Sequence, residues 1–137
     1  MKRECPLCEE NPDRALEFFR NEAAIARLSD EWAVRGHSVV VCRSHVENVS
    51  DLGDEELEGF FRAYRFAERA LLDVVGAERV VSVKLGLAAP HLHIHLYPIS
   101  RSTTRADVID IIERRVRDEP TPSERDRLVR KLRESAS

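Results

Sequence analysis

The stretch His91-Leu92-His93-Ile94-His95-Leu96-Tyr97 decides the fold. Histidines alternate with apolar residues along it, and successive side chains of an extended strand point to opposite faces of a sheet. The pattern predicts a central strand with three imidazoles on one face, about 6 to 7 Å apart, and with the intervening aliphatic residues on the other face, in a core. Pro98 is expected to end the strand because proline has no N–H for the sheet ladder.

Three further segments have strand-like patterns. Val80 to Leu85 alternates, and a turn at Gly86 to Pro90 joins it to the histidine strand. Ala23 to Leu28 and Ser38 to Cys42 are short apolar runs on either side of a polar segment, which predicts two antiparallel strands and a loop. The mixed segment Arg14 to Asn21 is expected to form a short strand or a turn of helix.

A long helix is predicted between the two pairs of strands. Ser50 to Glu56 carries the acidic residues of a helix start, and Gly76 is the next stop signal. Between them, apolar residues at steps of three and four form one stripe: Leu57, Phe60, Phe61, Tyr64, Ala67, Leu71 and Val74 or Val75. Two more helices are predicted at Ala106 to Asp118 and Pro122 to Glu134. This order of elements predicts an α+β domain with an antiparallel sheet.

Length and composition limit the class of protein. The 137 residues correspond to one domain, and 42% hydrophobic with 34% charged residues are typical of a soluble globular chain. The net charge of -3 argues against a basic field that would bind nucleic acid polymers. The chain has no apolar run of the roughly 18 residues needed to span a membrane, and Met1 to Pro6 shows no apolar signal core. We therefore expect a cytoplasmic protein with neither a membrane nor a nucleic acid polymer as partner.

Two of the three cysteines form the motif Cys5-Pro6-Leu7-Cys8. In a reducing compartment such a pair indicates a metal or redox site more than a disulfide framework. A redox role would require the pair to precede a helix in a βαβ unit, and the predicted elements do not provide that context. Cys42 follows three valines and is expected to be a buried thiol.

The clustered histidines leave two kinds of chemistry open. Neutral imidazoles could bind a catalytic Zn²⁺ that activates water, although three donors along one line do not converge readily. Alternatively, one imidazole attacks phosphorus while its neighbours orient it and stabilise the phosphate oxygens. Such a nucleophile must be neutral and aimed by a hydrogen bond at its other ring nitrogen.

His91 to Pro98 resembles the H-φ-H-φ-H-φ-φ motif of the histidine triad family. This family of nucleotide hydrolases and transferases includes the fragile histidine triad protein and, more distantly, galactose-1-phosphate uridylyltransferase. Arg35 to Val41 is similar to the family's P-G-H-x-L-V-φ strand, and Arg43 to Leu52 is similar to its K-x-H-x-x-x-φ-x-D-L segment. The resemblance covers about residues 5 to 101. It implies a five-stranded antiparallel sheet with a long helix packed on it, usually in a homodimer.

The resemblance also implies roles for individual residues. His93 would attack the α-phosphorus to form a nucleotidyl-histidine intermediate, His95 would contact the phosphate oxygens and handle the leaving group's proton, and His37 would support them. The acidic residue that holds the ribose in the family falls at Asp30 or one residue before it. Gly86 to Pro90 departs from the family's G-Q-[ST]-φ-x segment, because it has neither the glutamine nor the hydroxyl group that contacts phosphates.

Family members with an N-terminal cysteine pair complete a zinc site with the histidine of the K-x-H segment and the first histidine of the triad. Mapped onto this chain, the resemblance implies a structural Cys₂His₂ zinc site at Cys5, Cys8, His45 and His91. Ligation of His91 would fix the start of the strand and leave the middle histidine free to react. A metal-free thiol pair is the alternative.

We therefore predict a nucleotide phosphohydrolase or nucleotidyltransferase that acts on a dinucleoside polyphosphate, a nucleoside phosphoramidate or a related small nucleotide. The alternative is a zinc-stabilised nucleotide-binding protein with little turnover, since the segment before the triad lacks its polar side chains. Residues 1–105 are expected to form the histidine triad domain, and residues 106–137 a C-terminal helical extension of the same domain. A homodimer is expected because it would shield an exposed edge of the sheet.

Overall fold

The structure, a computed structural model, describes residues 5, 7–8 and 14–135. Within these residues five strands form one sheet: β1 (Glu17–Arg20), β2 (Ala24–Leu28), β3 (Ser38–Cys42), β4 (Arg79–Val83) and β5 (His93–Ile99). Neighbouring strands are antiparallel, and their order across the sheet is β1-β2-β3-β5-β4. The α+β class and the five-stranded antiparallel sheet predicted from the sequence are confirmed.

Three α-helices accompany the sheet in this part of the chain: α1 (Asp54–Ala70), α2 (Arg105–Ile112) and α3 (Pro122–Glu134). α1 continues as a π-helical turn over Leu71–Val75 and ends at Gly76. The φ angle of Gly76 is 78°, a left-handed conformation that glycine adopts without steric cost. The predicted end of the long helix is therefore confirmed.

The fully buried residues of α1 are one large aromatic residue, Phe60, and four small residues, and the half-buried Phe66 stacks on Phe19 of β1. Ala63, Ala67 and Ala70 are at most 1% exposed and belong to the same core cluster as Ala26 and Val40 of the sheet. Small side chains allow the helix backbone to approach the strands closely, and three acidic residues in the first turn stabilise the positive end of the helix dipole. α1 therefore covers one face of the sheet and leaves the opposite face for the histidines.

α3 carries a dense set of charges and packs on the core through its apolar side chains. Leu128, Val129 and Leu132 are at most 2% exposed. Arg133 of the same helix donates a hydrogen bond to the backbone carbonyl of Glu17 at 2.8 Å. α3 therefore packs beside β1, one edge strand of the sheet, and shares the core of the domain.

β5 differs from the prediction at both ends. It begins at His93 and continues through Pro98 to Ile99, so the prediction that Pro98 ends the strand is wrong. The amide of Glu78 donates to the carbonyl of Ile99 at 3.0 Å, which places Ile99's polar groups on the β4 side and those of Pro98 on the β3 side. The pairing with β3 stops at Leu96, so the missing N–H of Pro98 removes no ladder bond.

α2 is shorter than predicted, because it ends at Ile112 rather than at Asp118. Arg114 has a φ angle of 60°, in the left-handed region. Its amide donates to the carbonyl of Ile111 at 3.1 Å, and the amide of Arg115 donates to that of Asp110 at 2.8 Å. These two bonds form a Schellman helix end with arginine where glycine is usual. The helix prediction is therefore wrong beyond this turn.

Some predictions fall on residues outside the described part of the chain. The prediction that the N-terminus has no apolar signal core rests largely on residues 1–4 and 6, which lie outside it. So do residues 9–13, and residues 136–137 of the predicted helical extension. The cytoplasmic location and the division between residues 105 and 106 stay predictions. No helix of the described residues is long and apolar enough to cross a membrane.

Candidate active site and metal centre

The pairing register of β5 with β3 determines where the histidine side chains of the candidate site lie. His93 lies opposite Val41 of β3, and His95 lies opposite Val39. Between and beside them, Leu92, Ile94 and Leu96 are 1%, 8% and 0% exposed, as the predicted alternation requires. The imidazoles of His93 and His95 consequently lie on the face of the sheet that α1 does not cover, and both are half-buried.

The ring of His93 is held by its own strand. Its Nδ1 lies 2.6 Å from the backbone carbonyl oxygen of His91. A carbonyl oxygen can only accept a hydrogen bond, so Nδ1 carries the proton and donates it. In the neutral ring, Nε2 then has a lone pair and no proton, which is the form that can act as a nucleophile.

His95 is bonded to His37, which comes directly before β3. Nε2 of His37 lies 3.0 Å from Nδ1 of His95, and the Tyr97 ring packs against His37 with centroids 4.4 Å apart. Burial, with the charge of His95 next in size, lowers the pKa of His37 to about 3. Burial, followed by the charge of His93, lowers the pKa of His95 to about 4. Both rings are therefore neutral at pH 7 and share one proton between these two nitrogens.

Gly36 fixes the approach of the chain to His37. Its φ angle is 84°, and a Cβ at this position would lie 2.9 Å from Val75 Cγ2 and 3.3 Å from Pro98 Cγ. A side chain here would therefore clash with the end of the long helix as well as strain the backbone. The glycine of the segment Arg35 to Val41 thus sets the position of the histidine that follows it.

A cleft of about 300 Å³ opens beside His37 and Tyr97. The loop after β2 and the end of α2 with the turn that follows it form its walls, which are lined by Ser29, Asp30, Glu31, Trp32, Ala33, Ile111, Arg114, Val116 and Arg117. The candidate Asp30 lies here, with a side chain 72% exposed and 3.7 Å from Arg27. The structure therefore brings Asp30 and His37 to one cleft, and His95 lies next to it through its bond to His37.

Two contacts hold the walls of this cleft together. The amide of Asp118 donates to the carbonyl of Trp32 at 2.9 Å. The guanidinium of Arg117 lies 3.2 Å from the carboxylate of Glu31. Because both contacts come from the segment after α2, the C-terminal part of the chain shapes the cleft, which the sequence had not indicated.

The four candidate metal ligands lie together at the other end of the histidine run. One ligand atom each from Cys5, Cys8, His45 and His91 lies within 4.8 Å of all the others. Nδ1 of His91 is 3.5 Å from Cys5 Sγ, 3.3 Å from Cys8 Sγ and 3.2 Å from His45 Nδ1. The separation between Cys8 Sγ and His45 Nδ1 is 2.8 Å. Two sulfur and two nitrogen donors therefore surround one point.

His91 is oriented toward this point by a backbone group. It is 1% exposed, and its Nε2 lies 2.6 Å from the carbonyl oxygen of Cys42. Nε2 must therefore donate its proton, which leaves the lone pair of Nδ1 facing the two sulfurs. Burial lowers the pKa of His91 and favours this neutral form. Cys42 itself is 1% exposed, as predicted, and contributes its carbonyl group to the centre.

A HIT domain family model matches residues 9–102. This match covers well over half of the chain, and the protein belongs to the HIT family, which is related to nucleotide hydrolases and transferases. A curated relative, Protein hit of Bacillus subtilis, is 28% identical over 89 residues, which are 61% of this chain and 61% of the relative. The alignment thus spans about three-fifths of that relative's length.

Two solved structures illustrate the shared fold. A Zn-bound histidine triad family protein from Mycobacterium smegmatis has a TM-score of 0.63 and 20% identity, with 88% of this chain and 87% of that chain covered. The diadenosine triphosphate hydrolase of Plasmodium falciparum has a TM-score of 0.67 and 12% identity, with 89% and 76% covered. These similarities show that the chain has the fold of histidine triad proteins.

Proposed function

We propose that this protein is a nucleotide phosphohydrolase or nucleotidyltransferase that forms a covalent nucleotidyl intermediate on His93. The 2.6 Å hydrogen bond from His93 Nδ1 to the carbonyl of His91 is the observation that carries this proposal. It selects the tautomer with a free lone pair at Nε2 and holds the ring in one orientation. Substrates are dinucleoside polyphosphates, nucleoside phosphoramidates or related nucleotides, attacked at the α-phosphate.

In the first step, Nε2 of His93 forms a bond to the α-phosphorus as the bond to the leaving group breaks. A phosphate leaving group departs with the electron pair as an anion and needs no proton. For a phosphoramidate, His95 takes a proton from solvent and gives it to the departing nitrogen. His37 supports His95 through their 3.0 Å hydrogen bond, which fixes the orientation of the His95 ring.

In the second step, water or another acceptor attacks the α-phosphorus, and the N–P bond breaks with its electron pair returning to His93. Neutral His95 accepts the proton of the attacking hydroxyl group at Nε2, in the tautomer that carries its own proton on Nδ1 and donates it to His37. Low pKa values keep both rings neutral at pH 7, so the base is present in its unprotonated form. The products of hydrolysis are a nucleoside monophosphate and a released proton.

The nucleoside is proposed to lie in the 300 Å³ cleft beside His37. The exposed carboxylate of Asp30 faces a site where ribose hydroxyl groups could donate to it, and Asp30 therefore binds substrate in this proposal. The aromatic side chains of Trp32 and Tyr97 belong to the same lining and supply apolar surface for the nucleoside.

The second element of the proposal is a structural zinc ion bound by Cys5, Cys8, His45 and His91. Zn–N bonds near 2.0 Å and Zn–S bonds near 2.3 Å imply donor separations of about 3.3 to 3.8 Å in a tetrahedron. Three of the measured separations, 3.2 to 3.5 Å, are close to this range. Four protein donors leave no open position, so bound zinc would cross-link the N-terminal segment to the triad rather than activate water.

A homodimer is the third element. β1 is accompanied by α3, whereas β4 is paired only with β5 among the described residues. Leu57 and Phe61 of α1 are 36% and 39% exposed, and α1 is joined to β4 by a hydrogen bond between Tyr64 and Ser82. A second copy would cover the β4 edge together with these apolar side chains. A monomeric mass by light scattering at micromolar concentration would contradict the dimer.

A zinc-stabilised nucleotide-binding protein with little turnover is the alternative function. It is favoured by Gly86 to Pro90, where no side chain replaces the family's glutamine and hydroxyl group. A panel of dinucleoside polyphosphates, adenosine phosphoramidate and sugar nucleotides separates the two functions. We expect His93-dependent turnover of at least one compound. Tight binding of a nucleotide, with product formation no faster in wild type than in His93→Ala, would establish the alternative.

A further inference from the structure

Arg114 has the geometry of a ligand-binding residue, although the sequence placed it inside a helix. It forms part of the wall of the cleft that also contains Asp30, His37 and Tyr97. After the effects of burial and of the neighbouring histidines, its positive charge is a further cause of the low pKa of His37 and His95. The guanidinium is therefore near enough to act electrostatically on His95, which contacts the phosphate in the proposed reaction, and on its partner His37.

The charge of Arg114 is not neutralised within the described residues, where no carboxylate forms an ion pair with it. The other arginines of this segment differ. Arg115 lies 3.0 Å from Asp110 and 2.7 Å from Glu113. Arg117 lies 3.2 Å from Glu31. Arg114 thus brings a positive charge to the cleft and, unlike its neighbours, keeps its hydrogen-bond donors available for an anion.

The backbone at Arg114 is costly for this residue type. Its φ angle of 60° lies in the left-handed region, at the position of the helix end where glycine is usual. Non-glycine residues held in such a conformation cluster at active sites and ligand clamps, and Arg114 lies beside the cleft. Turning the chain at this point directs residues 115–118 back toward the loop after β2, which Arg117 and Asp118 contact.

We infer that Arg114 binds the phosphate group of the nucleotide and supplies the phosphate contact that Gly86 to Pro90 cannot make. The inference rests on the proposed function, since it assumes a nucleotide in this cleft. Its physical reason is that the neutral rings of His37 and His95 carry no net charge to balance the negative charge of a phosphate, whereas a guanidinium offers both charge and paired donors. It makes Arg114 a determinant of affinity for phosphorylated over unphosphorylated nucleosides.

Calorimetric titration of the full chain tests this role. The probes are the 5′-monophosphates of the four ribonucleosides, each compared with its own nucleoside. For the monophosphate that wild type binds most tightly, Arg114→Gln is expected to weaken binding about tenfold or more and Arg114→Lys less. Binding of the nucleoside should change less than about twofold, because the lost contact is to the phosphate. Arg115→Gln removes a charge from the same turn outside the cleft lining and should leave both affinities unchanged.

Arg114→Gly separates the contact from the fold. Glycine relieves the left-handed backbone, so the melting temperature should be no lower than that of wild type while monophosphate affinity falls as in Arg114→Gln. The inference is overturned if Arg114→Gln weakens both ligands equally, if it has no larger effect than Arg115→Gln, or if wild type binds no monophosphate. If turnover is absent and Arg114-dependent binding persists, the proposed chemistry fails and the inference stands. If His93-dependent turnover persists without Arg114-dependent binding, the inference alone fails.

Discussion

His91 and His93 are two residues apart, and their surroundings differ completely. His91 is 1% exposed, donates through Nε2 to the carbonyl of Cys42, and directs Nδ1 at two sulfurs and another imidazole. His93 is half-buried and donates through Nδ1 to the carbonyl of His91, which leaves the lone pair of its neutral ring on Nε2. One backbone carbonyl thus selects the tautomer of each ring. His91 has its lone pair on Nδ1, the geometry of a metal ligand, and His93 has its lone pair on Nε2, the geometry of a nucleophile.

The largest expected effect comes from removing one of these two imidazoles at a time. His93→Ala should lower turnover of the best substrate by about three or more powers of ten, because the covalent route is lost. Its zinc content and melting temperature should stay near those of wild type. His91→Ala should lose zinc and stability along with activity. Metal analysis, thermal melting and steady-state kinetics on both variants provide the check, and equal loss of zinc in the two would contradict distinct roles.

Removal of a cysteine ligand tests the proposed zinc site to which His91 belongs. Wild type should contain about one zinc per chain, and Cys8→Ser should lose the metal and several kcal/mol of stability, because binding energy at a structural site is folding energy. Cys42→Ala is the matched control, since this thiol lies outside the four-donor cluster and its carbonyl is retained. Elemental analysis and denaturant unfolding measure both quantities. A metal-free wild type, or zinc loss as large in the control, would refute the assignment.

Acid should destabilise the fold through His37 and His95, the two histidines beside the proposed phosphate site. In the unfolded chain His37 and His95 titrate near pH 6.5, whereas in the fold their pKa values are about 3 and about 4. Between pH 6.5 and the folded-state pKa values the unfolded state therefore binds more protons than the folded state. The contribution of these two histidines to the free energy of unfolding is at its maximum above pH 6.5 and falls as the pH drops toward 4. For the buried His37 the loss by pH 4.5 is of the order of 2 kcal/mol.

Denaturant unfolding from pH 7 to 4.5 measures the slope of the free energy of unfolding against pH. Zinc content is followed at each pH because metal ligands also take up protons. His37→Phe retains an aromatic ring without a titratable group, so its slope should be shallower than that of wild type. Identical slopes in the two proteins would show that His37 is not the buried neutral group described here.

The smallest expected effect concerns ribose recognition at the edge of the cleft. Asp30→Asn should raise KM about three- to tenfold with little change in kcat, because an exposed carboxylate contributes a modest hydrogen bond to both ground state and transition state. The difference from wild type should vanish for a 2′,3′-dideoxynucleotide substrate. Asp126→Asn, an exposed acidic residue on α3, is the control. An equal KM change for substrates with and without hydroxyl groups would exclude this role.

The sequence predicted the parts of the fold whose periodicity is regular. Alternation in His91 to Tyr97 and the helical stripe ending at Gly76 correspond to β5 and α1, and the Cys₂His₂ set comes together as the family resemblance implied. Pro98 was misjudged because a proline's missing N–H removes a ladder bond only where a neighbouring strand lies opposite it, and the sequence does not show that the pairing with β3 stops at Leu96. Arg114 was missed because an arginine at a left-handed helix end gives no signal in spacing, and the cleft depends on contacts between segments about 85 residues apart.

The central claim, that His93 carries the nucleotide during turnover, is tested most directly by intact-protein mass spectrometry. The full chain is mixed with the best substrate of the panel, quenched within milliseconds to seconds, and kept alkaline because an N–P bond to histidine is acid-labile. We predict added mass equal to one nucleotidyl group on wild type, located at His93 by peptide fragmentation and absent from His93→Ala. An adduct at another residue, or rapid turnover by wild type with no adduct at any quench time, would contradict the account.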